Sequence, residues 1–156
     1  MRIGCCWAGT PRFTRDRVRS IPYEQFAPLF DIPGTEWVAL FTGPQRDQHP
    51  QHPNCQRPCL PSLTATVAHL QGVDLMVTVD SMPAHLAGTL GVPTWLLLPY
   101  SADWRWLTDR PDTVWYPTMR LYRAPAWDQW APVIDQVARD LQGHPILQKG
   151  HPPHAC

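Results

Sequence analysis

The chain has 156 residues, 44% of them hydrophobic, with 13 basic side chains balancing 13 acidic ones. This suffices for one domain with a real core and excludes a disordered chain. Zero net charge argues against bulk electrostatic binding to nucleic acid or an anionic membrane, and no apolar run approaches the roughly 20 residues that span a bilayer.

Taken in order, the chain alternates strand and helix patterns. Residues 2–7 read as a first strand, with Cys5 and Cys6 as small apolar filler. The apolar part of this N-terminus is too short for a signal peptide, so a cytoplasmic location is expected. A short helix over 23–29, opened by Ser20 and Pro22, precedes a second strand over 36–41. Residues 43–61 are polar, proline-rich and nearly free of apolar side chains, and read as a floppy excursion. Cys55 and Cys59 lie there with His49 and His52 nearby. This is a weak zinc pattern, so no metal is expected. Ser62 caps a helix over 63–70.

Residues 75–79 form a third strand, led by Asp74 and opening on a short apolar run, as in a buried parallel sheet. Asp80 and Ser81 are good helix caps, and Pro83 falls in the first turn of a helix over 84–90 that Gly91 ends. A fourth strand covers 94–98 and a fifth 119–122. Between them, Trp104, Trp106, Trp115 and Tyr116 alternate with Asp103, Arg105, Asp109 and Arg110. Long ordered loops of this kind are usually functional. Trp130, Val133, Ile134, Val137 and Leu141 recur at helical spacing and predict an amphipathic helix over 127–141, whose apolar stripe reads as core packing. Residues 143–156 read as a disordered tail, leaving 1–142 as the domain.

Strands joined by helical crossovers predict an α/β fold: a single Rossmann-like three-layer domain around a mostly parallel sheet. Such sheets bind ligands in the crevice at the carboxyl ends of their strands. Three loops converge there. In the first, over 7–20, Gly9 lets backbone approach a ligand closely, Thr10 follows it, and Arg12, Arg15, Arg17 and Arg19 offer guanidinium forks for phosphate oxygens. The second is the turn over 80–85. A helix N-terminus carries unbonded N–H groups and a positive dipole end, so it suits an anion. Ser81 can donate its hydroxyl there, and the amides of Met82, Ala84 and His85 can cradle a diphosphate. Pro83 withholds one amide from the same turn. His85 either reaches the ligand or is structural, and Asp80 either meets the ligand or holds the turn. In the third loop, which begins at Leu98 and Pro99, Tyr100, Trp104 and Trp106 can supply a flat wall for a base or sugar, with Asp103 and Arg105 as polar groups.

The segments WAGTPRFTRDRVRSIP, VDSMPAHLAGTLGVPTWLLLPYSADWRWL and DTVWYPTMRLYR together resemble the carboxyl-terminal half of GT-B glycosyltransferases. The likeness runs from about residue 2 to residue 141. It points to the family-nine-like domain found after tetratricopeptide repeats in bacterial proteins, which is related in outline to heptosyltransferases. The resemblance implies half of a GT-B fold that binds a nucleotide sugar as donor substrate, with no cofactor and no metal. It puts the turn over 80–85 against the donor diphosphate, the loop over 9–19 on the same ligand, and residues 98–100 near the base. It also implies that the acceptor site and the catalytic base belong to another domain or to a repeat-protein partner.

Two readings follow. In the first, the chain is the donor-binding half of a glycosyltransferase, inactive alone. In the alternative, it is a non-enzymatic interaction module or a decayed fragment of such a domain; self-association without nucleotide binding favours that reading. Other enzyme classes lack their signatures. The sequence has no G-x-S-x-G, no Walker-type loop and no H-E-x-x-H, and its first strand does not lead into G-x-G-x-x-G.

Overall fold

Six strands hydrogen-bond into one sheet, every adjacent pair of them parallel. This is a computed structural model, and it describes residues 1–9, 14, 16–41 and 51–148. The strands are β1 (Arg2–Cys6), β2 (Glu36–Ala39), β3 (Cys55–Gln56), β4 (Leu75–Val79), β5 (Thr94–Leu98) and β6 (Met119–Arg123). Their spatial order is β3-β2-β1-β4-β5-β6. The helices are α1 (Asp16–Arg19), α2 (Tyr23–Phe26), α3 (Leu63–Gln71), α4 (Met82–Thr89), α5 (Ala131–Gln142) and α6 (Pro145–Gln148).

Strands buried on both faces lose the polar alternation of half-exposed ones. Accordingly β4 and β5 are buried at every residue. Along β5 the side chains alternate between two cores. Trp95 and Leu97 join the larger one, where Trp95 meets Tyr122 and His144 near the end of α5. Leu96 and Leu98 join the smaller one, with Ala84 and Trp106. Helices thus cover both faces, as the alternation of elements requires. The larger core is rich in rings: Trp7 lies 5.4 Å from Phe26 and 4.3 Å from Phe41, centroid to centroid.

Several expectations need adjustment. The helix expected over 23–29 is one α-turn, α2, followed by a 3-10 turn over Ala27–Asp31, because Pro28 cannot continue an α-helical hydrogen-bond ladder. The helix expected from residue 127 starts only at Ala131, with Trp130 as its N-cap and Pro132 in its first turn. The supposed floppy excursion contains β3, which extends the sheet edge. Asn54 anchors it there by donating from Nδ2 to the carbonyls of Phe30 (2.7 Å) and Thr35 (2.9 Å). A two-residue strand has no periodicity to read, and residues 42–50 lie outside the described part. Residues 145–148, within the expected tail, form α6, and Ile146 and Leu147 pack on the core; residues 149–156 lie outside the described part. Cys55 is buried against Cys5, whereas Cys59 is exposed. Among the described residues no helix is long and apolar enough to cross a membrane.

Candidate functional site

In this strand order β1 lies between β2 and β4, so the chain runs outward one way from β1 to β3 and the other way from β4 to β6. Ligands of open parallel sheets bind where that reversal leaves a crevice at the carboxyl ends. A cleft of about 350 Å³ lies there. Its walls follow three strands. Val18 and Arg19 come after β1. Asp80, Ser81, Met82 and His85 come after β4. Pro99, Ser101, Asp103 and Arg105 come after β5.

The turn after β4 is tied down from three sides. The Arg19 guanidinium donates through Nη1 to the Asp80 carbonyl (2.9 Å) and through Nε to Asp16 Oδ1 (3.1 Å). The indole N–H of Trp106 donates to Asp80 Oδ2 (2.9 Å), and His85 Nε2 lies 3.4 Å from Asp80 Oδ1. Burial would raise the Asp80 pKa. The hydrogen bonds from His85 and Trp106, helped by the charges of His85 and Arg105, outweigh it and hold the carboxyl below its ordinary 3.8. Asp80 therefore holds the turn.

His85 is held as firmly. Its ring stacks on Trp106, with centroids 5.4 Å apart and 20° between planes, and its Nδ1 lies 3.0 Å from the Tyr116 hydroxyl. Arg105 Nη1 also approaches Nε2, at 3.5 Å. Arginine can only donate, whereas a bond to the Asp80 carboxylate needs Nε2–H, so the two contacts exclude each other. Arg105 otherwise grips Asp103 from Nε (3.0 Å) and Nη2 (3.3 Å).

The expected diphosphate cradle is smaller than the sequence suggested. The amides of Ala84 and His85 both point to the Ser81 carbonyl, at 3.0 and 3.4 Å. Pro83 has none. Met82, the first helical residue, therefore contributes the one amide of the proposed set without an intrahelical acceptor. The Ser81 hydroxyl is turned inward as well. It lies 3.1 Å from Thr78 Oγ1, which itself sits within donating distance of the Cys6 and Val79 carbonyls. Either oxygen of this pair can donate to the other.

Other expected residues divide as follows. Arg19, Asp80, Ser81, Met82, His85, Pro99 and Asp103 line the cleft. Gly9 is not part of the cleft lining. A Cβ there would fall 2.1 Å from Asp16 Oδ1 and 2.3 Å from Arg19 Nη2, so its missing side chain makes room for that ion pair. Ala84 is fully buried in the smaller core. Tyr100 lines a neighbouring cleft. Trp104 is 77% exposed and lies outside the lining, while Trp106 is fully buried and acts as a support. Thr10, Arg12 and Arg15 lie outside the described residues. Val18 and Ser101 were not anticipated in the lining, nor was Tyr116, named only as part of the aromatic loop, as the partner of His85. The signal for Tyr116 was Gly88, inside α4: a Cβ there would meet the Tyr116 ring at 2.5 Å. Among the described residues no three His, Cys, Asp or Glu side chains gather as a metal site requires.

No family model matches the chain, and no curated protein matches it in sequence. In fold it is similar to the heptosyltransferase WaaC of E. coli, whose structure was solved with ADP-2-deoxy-2-fluoro heptose. The TM-score is 0.65 at 17% identity, over 89% of this chain and 42% of that one. This chain therefore spans less than half of that protein's length. The likeness is one of fold, and it agrees with the Rossmann-like half of a GT-B architecture expected from the sequence.

Proposed function

We propose that this chain is the nucleotide-sugar-binding half of a glycosyltransferase, which completes its active site with an acceptor domain and does not catalyse transfer alone. The observation that carries the proposal is the cleft at the point where the strand order reverses, walled by the N-terminus of α4 and two arginines. The heptosyltransferase of similar fold was solved with an ADP-sugar, which favours the same class of ligand here.

In this reading the donor diphosphate lies over α4. The Met82 N–H and the helix dipole meet one phosphate, and Arg19 and Arg105 meet the rest of its charge. The described lining holds two Arg and two Asp; Arg19 and Arg105 are paired with Asp16 and Asp103, acids that a ligand phosphate can exchange with. For Arg105 that exchange is cheap. Its pair with Asp103 is 40% and 31% exposed, a setting where ion pairs contribute about 0–1 kcal/mol. Transfer of the sugar to an acceptor hydroxyl builds negative charge on the leaving diphosphate. Fixed donors that strengthen toward that charge lower the barrier.

Titrating the chain with UDP, GDP and ADP, and with their sugars, tests the proposal. Backbone amide shifts at Met82, Ala84 and His85 are expected with one nucleotide family. Absence of any shift at residues 81–85 with all of them would sink it.

A further inference from the structure

We propose that Arg123, which lies outside the cleft lining, is a positioning residue for the bound anion: it holds the Trp106 carbonyl and supplies a positive charge that no paired acid cancels. The inference rests on the diphosphate reading above. It names what draws a strongly charged ligand to a cleft whose own charges balance.

Each base in the described lining has its acid. Arg19 pairs with Asp16, Arg105 with Asp103, and His85 with Asp80. Even with His85 protonated, these charges only balance. Arg17 and Asp128, which line the neighbouring cleft, are one of each sign. A diphosphate therefore gains little net attraction from them, and it competes with carboxylates already bound to the two arginines.

Arg123 breaks this balance. It ends β6 beside Leu98, the residue before Pro99 of the cleft wall. Its Nη2 donates to the Trp106 carbonyl at 2.6 Å, its Nε is buried without a partner, and it has no ion pair among the described residues. The acid whose charge acts on it is Asp109, which is itself exposed. Arginine stays protonated in such a setting. Half-burying a charge without a counter-ion costs free energy, and an adjacent carboxylate would relieve that cost. The lone charge is held instead against Trp106, a fully buried residue whose indole reaches Asp80 of the cleft. Charge acting through packed protein is screened less than charge acting through water. The bond to Trp106 has a second effect. Trp106 ends a 3-10 turn, and the last carbonyls of a helical turn lack partners within it. A guanidinium there satisfies one and fixes the turn that carries Arg105.

The test is calorimetry on the full chain with ADP, UDP and GDP, their monophosphates and inorganic pyrophosphate. Arg123→Gln removes the charge and keeps a donor for the Trp106 carbonyl. It is expected to weaken the diphosphate that binds about tenfold and its monophosphate about threefold, because the effect scales with ligand charge. Arg123→Lys is expected to restore most of the loss. Asp109→Asn removes the opposing charge at a residue with φ 55°, a conformation that asparagine also tolerates. It is expected to strengthen diphosphate binding about twofold, a small gain because that carboxylate is exposed and screened. Equal diphosphate affinity in Arg123→Gln and wild type overturns this proposal and leaves the diphosphate site standing. Arg123→Lys as weak as Arg123→Gln overturns it in favour of a purely structural bond. Should Arg123→Gln fail to fold by circular dichroism, Asp109→Asn decides alone: a gain supports the proposal and unchanged affinity overturns it. If neither pyrophosphate nor any nucleotide binds the wild type, the diphosphate reading fails first and this one with it.

Discussion

Arg19 is the residue on which the candidate site turns. It joins the loop after β1 to the turn after β4 through the Asp80 carbonyl, and it lines the cleft. Removing it takes away a charge-assisted hydrogen bond, worth about 1.5–3 kcal/mol, from both the fold and the proposed ligand. Arg19→Ala is expected to lower nucleotide affinity at least tenfold and to lower unfolding stability as well. Gly9→Ala separates the two effects. The nearest atoms to the added methyl are the flexible ends of Asp16 and Arg19, so affinity is expected to fall while urea unfolding loses less than in Arg19→Ala, which removes the bond to the Asp80 carbonyl outright. Equal affinity in Gly9→Ala and wild type would show that Arg19's position is immaterial to the ligand. Asp80 makes a different prediction, in pH. Its carboxyl is held below 3.8 in the folded protein, so folding favours the ionised form. That contribution is full above the unfolded value near 4 and fades as pH falls through the folded one. Asp80→Asn is expected to be less stable at pH 7 and to lose less further stability between pH 5 and pH 2. Parallel stability profiles for variant and wild type would contradict this.

Among the elements, α4 is the most informative. It is opened by Ser81 and Pro83, it is closed by Gly91 at φ 72°, and it carries a glycine, Gly88, in its last turn. An interior glycine costs about 1 kcal/mol of helix propensity relative to alanine. Gly88 is kept because the Tyr116 ring lies against it and reaches His85 from there. Gly88→Ala gains that ~1 kcal/mol and loses about 1–3 kcal/mol to overpacking, since the clash is with the root of a ring and not a flexible tip. A net loss of up to ~2 kcal/mol in chemical unfolding is expected, along with loss of the Tyr116–His85 contact in the histidine ring's NMR signals. A stabilised Gly88→Ala protein would mean that Tyr116 moves aside at no cost.

On the scale of the whole molecule, the sheet was legible because its strands obey period and length. β4 and β5 have the bounds expected for them, and β1 ends one residue early. Helix starts were legible wherever serine or proline marks them, as at Ser62, whose hydroxyl accepts from the Ala65 amide at 3.2 Å. What escaped was pairwise. Nothing in the local sequence says that Ser81 bonds Thr78, that Trp106 lies beneath Asp80, or that Asp16 fills the space over Gly9. Each depends on residues brought together from different elements, and local pattern carries no record of such meetings. The same holds for β3, two residues long and held by an asparagine side chain.

The central position of β1 has one more consequence. Its neighbour on one side is β2, about a quarter of the way along the chain; on the other it is β4, with Ile3 set beside Leu75. The cleft walls then run on to Arg105. A chain emerging from the ribosome therefore cannot complete the pocket until Arg105 has been made and β1 has met its distant partner. Long-range pairings of this kind form late and slowly. A ligand bound there meets an arrangement of strands already decided, and acts as a clasp on the finished topology without having guided its assembly.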